Sequence, residues 1–169
     1  MRREEAIVLI GFMGAGKTSV GRELARLTEW PLFDTDDMIA ANFGSSVAQV
    51  FETRGEEEFR EAESRVLTRM PTRRAIVATG GGIVMRAENV SLLKRLGTVV
   101  YLEARESTLF ERVSSEETRP LLKTDDPRAT LSRLLAQRAP LYQAAADFTV
   151  HTNELRAPEV AEAIIQHVG

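Results

Sequence analysis

Gly11-Phe12-Met13-Gly14-Ala15-Gly16-Lys17-Thr18 meets the spacing G-x-x-x-x-G-K-[S/T] at every fixed position. Glycines so placed let the backbone curl until several N–H groups converge on phosphate oxygens, while the lysine reaches the outer phosphates and the hydroxyl can ligate magnesium. The candidate phosphate-binding residues are therefore Gly14, Ala15, Gly16, Lys17, Thr18 and the adjacent Ser19, with Mg2+ as the implied ion. Lys17 is one of only three lysines, with Lys94 and Lys123, so its position after the last glycine is unlikely to arise by chance. Two further groups could do chemistry nearby. Asp34 and Asp36 are the carboxylates available to the metal and to a substrate hydroxyl, because Ala78-Thr79 runs straight into glycine and offers none. While the chain stays extended, their i, i+2 spacing turns both the same way; taken alone, the pair would serve equally to cap a helix beginning near Asp37. Gly80-Gly81-Gly82 carries more conformational entropy than a plain turn requires, so bare backbone is expected to lie against something there.

The elements that must carry these groups alternate. Ala6 to Ile10 is a short apolar run suited to a strand buried on both faces, and a helix follows from about Gly16 to Thr28. Pro31-Leu32-Phe33 delivers the Asp34 group, with helical segments through about Met70. Ala75 to Ala78 reads as a third strand ending at the glycine triplet. A helix over 87–96, stopped by Gly97, leads into the strand Thr98 to Leu102. Another begins near Ser107. The polar stretch 114–125 reads as a mobile loop, and Asp126-Pro127 opens a long helix to Tyr142 and beyond, with Pro140 inside it as a potential kink. Phe148 to Val150 is the last strand and Pro158 to His167 the closing helix. Strands alternating with helices imply an α/β domain with a mainly parallel sheet, whose ligands gather beyond the carboxyl ends of the strands. Seven of the 11 glycines fall in two short regions at such ends, so both are expected to face one cleft.

Composition narrows the class. At 169 residues the chain is the size of one domain, and no linker or repeat divides it. A net charge of −3 provides no basic field for nucleic acid or an anionic membrane. No cysteine is present, which excludes disulfides and thiolate ligands. The basic start before the apolar run is interrupted by Glu4 and Glu5 and lacks a clear cleavage site, so a cytoplasmic protein is expected. Nowhere do about 20 apolar residues follow one another as a membrane span requires. Asn42, Asn89 and Asn153 are followed by Phe, Val and Glu, so the Asn-Lys-x-Asp element of guanine-selective switches is missing.

Taken in order, the glycine loop, Asp34-Thr35-Asp36, Phe59-Arg60 with Glu63, the glycine triplet, Arg119-Pro120-Leu121 and Arg138-Ala139-Pro140-Leu141-Tyr142 closely resemble the shikimate kinase family. The resemblance covers nearly the whole chain and is far more specific than the phosphate loop. It implies a three-layer P-loop kinase fold with a five-stranded parallel sheet flanked by helices, and a mobile lid near 114–125. It also implies ATP-dependent phosphorylation of the 3-hydroxyl of shikimate, on the way to chorismate and aromatic amino acids, by a monomer. Carried over by motif, Asp36, Arg60, Gly81, Gly82 and Arg138 hold shikimate, Glu63 orients Arg60, and Asp36 accepts the hydroxyl proton. Lys17 and the lid residue Arg119 act on the transferring phosphoryl group, Arg112 packs on adenine, Thr18 ligates magnesium and Asp34 reaches it through water. The segment 151–158 resembles the family's adenine loop. Arg60 or Arg138 considered alone would more often be a solvated charge, and Glu56-Glu57-Glu58 needs no role beyond an acidic first helical turn. Gluconate or a nucleoside monophosphate as acceptor, and a nucleotide-binding regulator without kinase activity, are the competing functions.

Overall fold

The computed structural model describes residues 4–114 and 123–169. Five strands, β1 (Ala6–Ile10), β2 (Leu32–Asp34), β3 (Ile76–Ala78), β4 (Gly97–Glu103) and β5 (Phe148–His151), form one sheet in the order β2-β3-β1-β4-β5, every pairing parallel. The apolar run of β1 is buried at all five positions and lies in the middle, as a strand covered on both faces should. Helices α1 (Lys17–Thr28), α2 (Thr35–Phe43), α3 (Val47–Arg54), α4 (Glu56–Thr68), α5 (Ala87–Leu96), α6 (Glu106–Ser114), α7 (Pro127–Ala145) and α8 (Ala157–Val168) flank it.

Alternation along the strands sorts the helices into layers. Gly21 of α1 sits close enough to Leu9 and Ala78 that a Cβ there would touch both side chains. One register step further, Tyr101 of β4 packs against Tyr142 of α7 with the rings tilted by 30° and their centroids 5.1 Å apart. Because successive side chains on a strand face opposite ways, α1 and α7 cover opposite faces. The aromatic pair adds about 0.5–1.5 kcal/mol beyond its buried area.

Local chemistry explains most boundaries, and several differ from the sequence reading. The helical stretch after Asp34 is three helices, broken at Gly44, which takes a left-handed φ of 64°, and at Gly55. Ser46 starts α3 with a reciprocal capping box to Gln49, and Asp126 caps α7 through Ala129 N–H at 3.0 Å. The α7 helix continues through Pro140. A short 3-10 helix, Ile83–Met85, follows the glycine triplet and has no counterpart in the sequence reading. Gly97 does not stop α5 through a left-handed turn: at φ 168° it is extended and already part of β4, and a Cβ there would collide with the Ala6 backbone. Close approach of two strands explains that glycine. The expected lid (114–125) lies mostly in 115–122, outside the described residues, as does Arg119. Among the described residues no helix is long and apolar enough to cross a membrane.

Candidate functional site

The phosphate-binding loop joins the buried end of β1 to α1. Gly14 and Gly16 have φ of 83° and 92°, the left-handed region, and a Cβ on Gly14 would come within 2.8 Å of Val113. Helix α1 begins with neither a side-chain cap nor an acidic residue in its first turn, so its positive end is left for an anion. The Lys17 ammonium donates to the Gly11 and Phe12 carbonyls at 2.6 and 3.0 Å, which arches it over the loop. An open cleft of about 890 Å3 spreads from here, bordered by Gly14 to Ser19, Asp34, Asp36, Gly81 and Arg112, and by Thr152 to Val160 on its far side. Arg112 donates to the Gly14 carbonyl at 3.0 Å and the Thr152 carbonyl at 3.4 Å, spanning the phosphate loop and the 152–157 segment.

Asp34 and Asp36 are close but do not share a strand face. Asp34 ends β2, and its Oδ1 accepts from the Asp36 and Asp37 N–H groups at 2.9 and 3.2 Å, capping α2. Asp36 therefore lies in the first helical turn, because α2 starts at Thr35, two residues before the expected Asp37. The capping and site readings of Asp34 are not alternatives, because its second oxygen, Oδ2, accepts from the Thr18 hydroxyl at 3.0 Å. Those two oxygens form a hard-donor pair beside the phosphate loop and suit Mg2+, which binds few protein ligands and shares the rest with phosphate and water. Among the described residues no group of three or more His, Asp or Glu could hold a metal by itself.

The glycine triplet separates that cleft from a second charged group. A Cβ on Gly80 would lie 2.7 Å from Asp36 Oδ1 and 3.0 Å from Glu63 Oε2, one on Gly81 3.6 Å from Arg138 Nη1, and one on Gly82 inside the Arg60 guanidinium. Bare backbone is what lets these four charged side chains converge. Arg60 and Arg138 are 7% and 2% exposed, so neither is a solvated surface charge. Arg60 Nη1 donates to Glu63 Oε1 at 2.7 Å, and its guanidinium lies 5.4 and 5.8 Å from the centroids of the Phe59 and Phe51 rings. Burial pushes the Glu63 carboxyl up, with Arg60 pulling against it. Burial also lowers Arg138, opposed by the neighbouring Tyr142.

The triplet carbonyls are tied down. Gly80 O accepts from Ile83 N–H at 3.1 Å, Gly82 O from Met85 N–H at 3.0 Å, and Gly81 O from the Tyr142 hydroxyl. Gly80 N–H donates to Thr35 Oγ1 at 3.0 Å. Sequence reasoning assigned no task to Tyr142 or Thr35. Tyr142 was accessible to it, since a residue four after Arg138 on a helix shares its face. Thr35 was hidden, because its hydroxyl meets a backbone 45 residues away.

A glycine loop between β1 and α1 of this sheet, with a hydroxyl and a carboxylate on its flank, defines a P-loop nucleotide-binding protein. The family model described as shikimate kinase matches residues 13–169. A shikimate kinase from Cupriavidus pinatubonensis is 42% identical over 163 residues, 96% of this chain and 85% of that protein, and one from Neisseria gonorrhoeae is 44% identical over 151 residues, 89% of each. The solved structure of an Acinetobacter baumannii shikimate kinase in complex with shikimate superposes with a TM-score of 0.93 at 38% identity, covering 97% of this chain and 92% of that one. The chain belongs to the shikimate kinase family.

Proposed function

We propose that the protein transfers the γ-phosphoryl group of ATP to the 3-hydroxyl of shikimate, giving shikimate 3-phosphate and ADP. The observation that carries the reading is the pair of buried arginines, Arg60 and Arg138, gathered at a glycine triplet whose other side borders the phosphate cleft. Two forked cations suit a planar carboxylate, and the triplet sets that anchor beside the transferring phosphate. Asp36, at the boundary, accepts the proton from the 3-hydroxyl as its oxygen attacks phosphorus; the bond to the bridging oxygen breaks and ADP leaves. Lys17 swings from the loop carbonyls onto the outer phosphates, and the α1 N-terminus offsets their charge. Arg119 adds a second cation by its resemblance to the family's lid arginine, and Arg112 offers a flat face to adenine. Bound magnesium, held by Thr18 directly and by Asp34 through water, would neutralise charge on the phosphate oxygens. Gly81 and Gly82 give their N–H groups to the acceptor side, their carbonyls being held elsewhere. The same reading has a cytoplasmic monomer.

Mass spectrometry of purified protein with MgATP and shikimate tests this. Shikimate 3-phosphate should form, fail to form with EDTA, and be strongly preferred over phosphorylated gluconate or a nucleoside diphosphate from the corresponding acceptors. Saturable ATP binding without phosphorylated shikimate under varied metal conditions refutes the reading.

A further inference from the structure

Glu56, Glu57 and Glu58 look in sequence like an acidic first turn and nothing more, yet the structure gives each of them its own cationic partner, Glu58 pairing with Arg54 at 3.2 Å. Glu57 pairs with Arg86. Glu56 Oε1 accepts from Arg60 Nη2 at 3.3 Å, while Glu63 Oε1 accepts from Nη1 of the same guanidinium at 2.7 Å. These two carboxylates differ in kind. The Glu63 side chain is 0% exposed, so its departure would strand a charge; that of Glu56 is 59% exposed and already largely hydrated. Burial lowers the pKa of Arg138, and Glu56 is among the weaker charges that oppose that shift. Its carboxylate thus sits in the field of both arginines, where an acceptor carboxylate has to arrive.

We propose that Glu56 is a place-holding carboxylate: it occupies the outer edge of Arg60 in the empty site, and the carboxylate of the acceptor displaces it into solvent. The idea rests on the reading of Arg60 and Arg138 as the carboxylate anchor. Exchange of one carboxylate for another leaves the buried guanidinium paired throughout, and the N-terminus of α4, which has no side-chain cap, favours Glu56 in water as well as on Arg60. A ligand without a carboxylate makes no exchange, leaves Glu56 on Arg60 and draws nothing from that guanidinium. Glu56 therefore tunes the anchor's affinity for carboxylates, weakening all of them modestly, and leaves the binding of neutral ring analogues unaltered.

Calorimetric titration of wild type, Glu56→Gln and Glu57→Gln with shikimate, its methyl ester and cyclohex-1-enecarboxylate decides the matter. Glu56→Gln should bind both carboxylates about two- to fivefold more tightly, the range an exposed ion pair allows, with the gain shrinking as salt is added. Binding of the ester and the KM for ATP should stay as in wild type, and Glu57→Gln should match wild type throughout. Equal, weaker or undetectable carboxylate binding by Glu56→Gln overturns the proposal, as does an equal gain for the ester. Cyclohex-1-enecarboxylate has no hydroxyl to phosphorylate, so this comparison has an outcome whether or not wild type turns shikimate over.

Discussion

Replacing Gly82 by alanine isolates the geometry of the acceptor site in a single methyl group. Gly82 has φ −96° and ψ 8°, a conformation open to an L-residue, so alanine introduces no left-handed strain. Its Cβ would, however, fall inside the Arg60 guanidinium, overlapping Cζ and both terminal nitrogens. Non-bonded heavy atoms settle about 3.5–4.0 Å apart, so the guanidinium has to retreat by roughly an ångström or more. The far end of a flexible side chain can do so without moving the backbone, but not without disturbing the 2.7 Å bond to Glu63. Loss of one hydrogen bond to a charged group is worth about 1.5–3 kcal/mol, which bounds the loss of stability. The same magnitude applies to the bond Arg60 would make with an acceptor carboxylate, and at about 1.4 kcal/mol per decade the KM for shikimate should rise about tenfold to a hundredfold. Lys17 and the phosphate loop are untouched, so the KM for ATP should stay within about twofold of wild type. A coupled ADP-release assay with shikimate varied at saturating ATP measures the split, and a thermal melt reports the fold. Gly81→Ala is the comparison variant, because its Cβ would meet Met13 N at 3.4 Å and Arg138 Nη1 at 3.6 Å, ordinary contacts that displace no guanidinium. A folded Gly82→Ala enzyme whose shikimate KM lies within twofold of wild type would refute the argument that this glycine exists to admit Arg60.

Two further outcomes follow from Tyr142. Tyr142→Phe removes the donor that holds the Gly81 carbonyl and should lower stability by about 1–3 kcal/mol, seen as a fall in Tm, while raising the KM for shikimate severalfold and leaving that for ATP unchanged. A fall in Tm with both KM values unmoved would reduce the hydroxyl to a purely structural bond. The chain has only two tyrosines, Tyr101 and Tyr142, and both are buried. Burial, aided by Glu103, pushes Tyr101 from 10.0 up to about 12, and burial pushes Tyr142 upward as well, against the pull of Arg138. Since the folded state keeps protons that the unfolded state loses, this contribution to stability is intact below pH 10 and fades as pH climbs toward about 12. Near-ultraviolet tyrosinate absorbance should therefore stay silent at pH 10 and rise together with alkaline unfolding, whereas titration of either phenol near pH 10 in a protein with native circular dichroism contradicts the assignment.

What could be read from sequence follows from how far each residue reaches. The phosphate loop was legible because its task is done by its own contiguous backbone, and the places of the strands along the chain followed from apolar runs that needed no knowledge of their neighbours, whereas their order in the sheet did not. Asp34 was half legible: the local rule for helix caps placed one of its oxygens, while the hydroxyl 16 residues earlier that engages the other becomes its neighbour only once β2 and α1 are assembled. The end of α5 at Gly97 was legible, but not the contact with Ala6 that requires a glycine there. Glu56 shows the limit most sharply. Its acidic first turn is a sufficient local explanation, and nothing within α4 alone reveals that the arginine one turn on is buried at a site rather than hydrated. The glycine triplet lies between these cases: three residues without side chains announce that something must come close, resemblance alone supplied Arg60 and Arg138 as candidates, and the meeting of α4 and α7 at the end of β3 is what sets both guanidinium groups against the triplet.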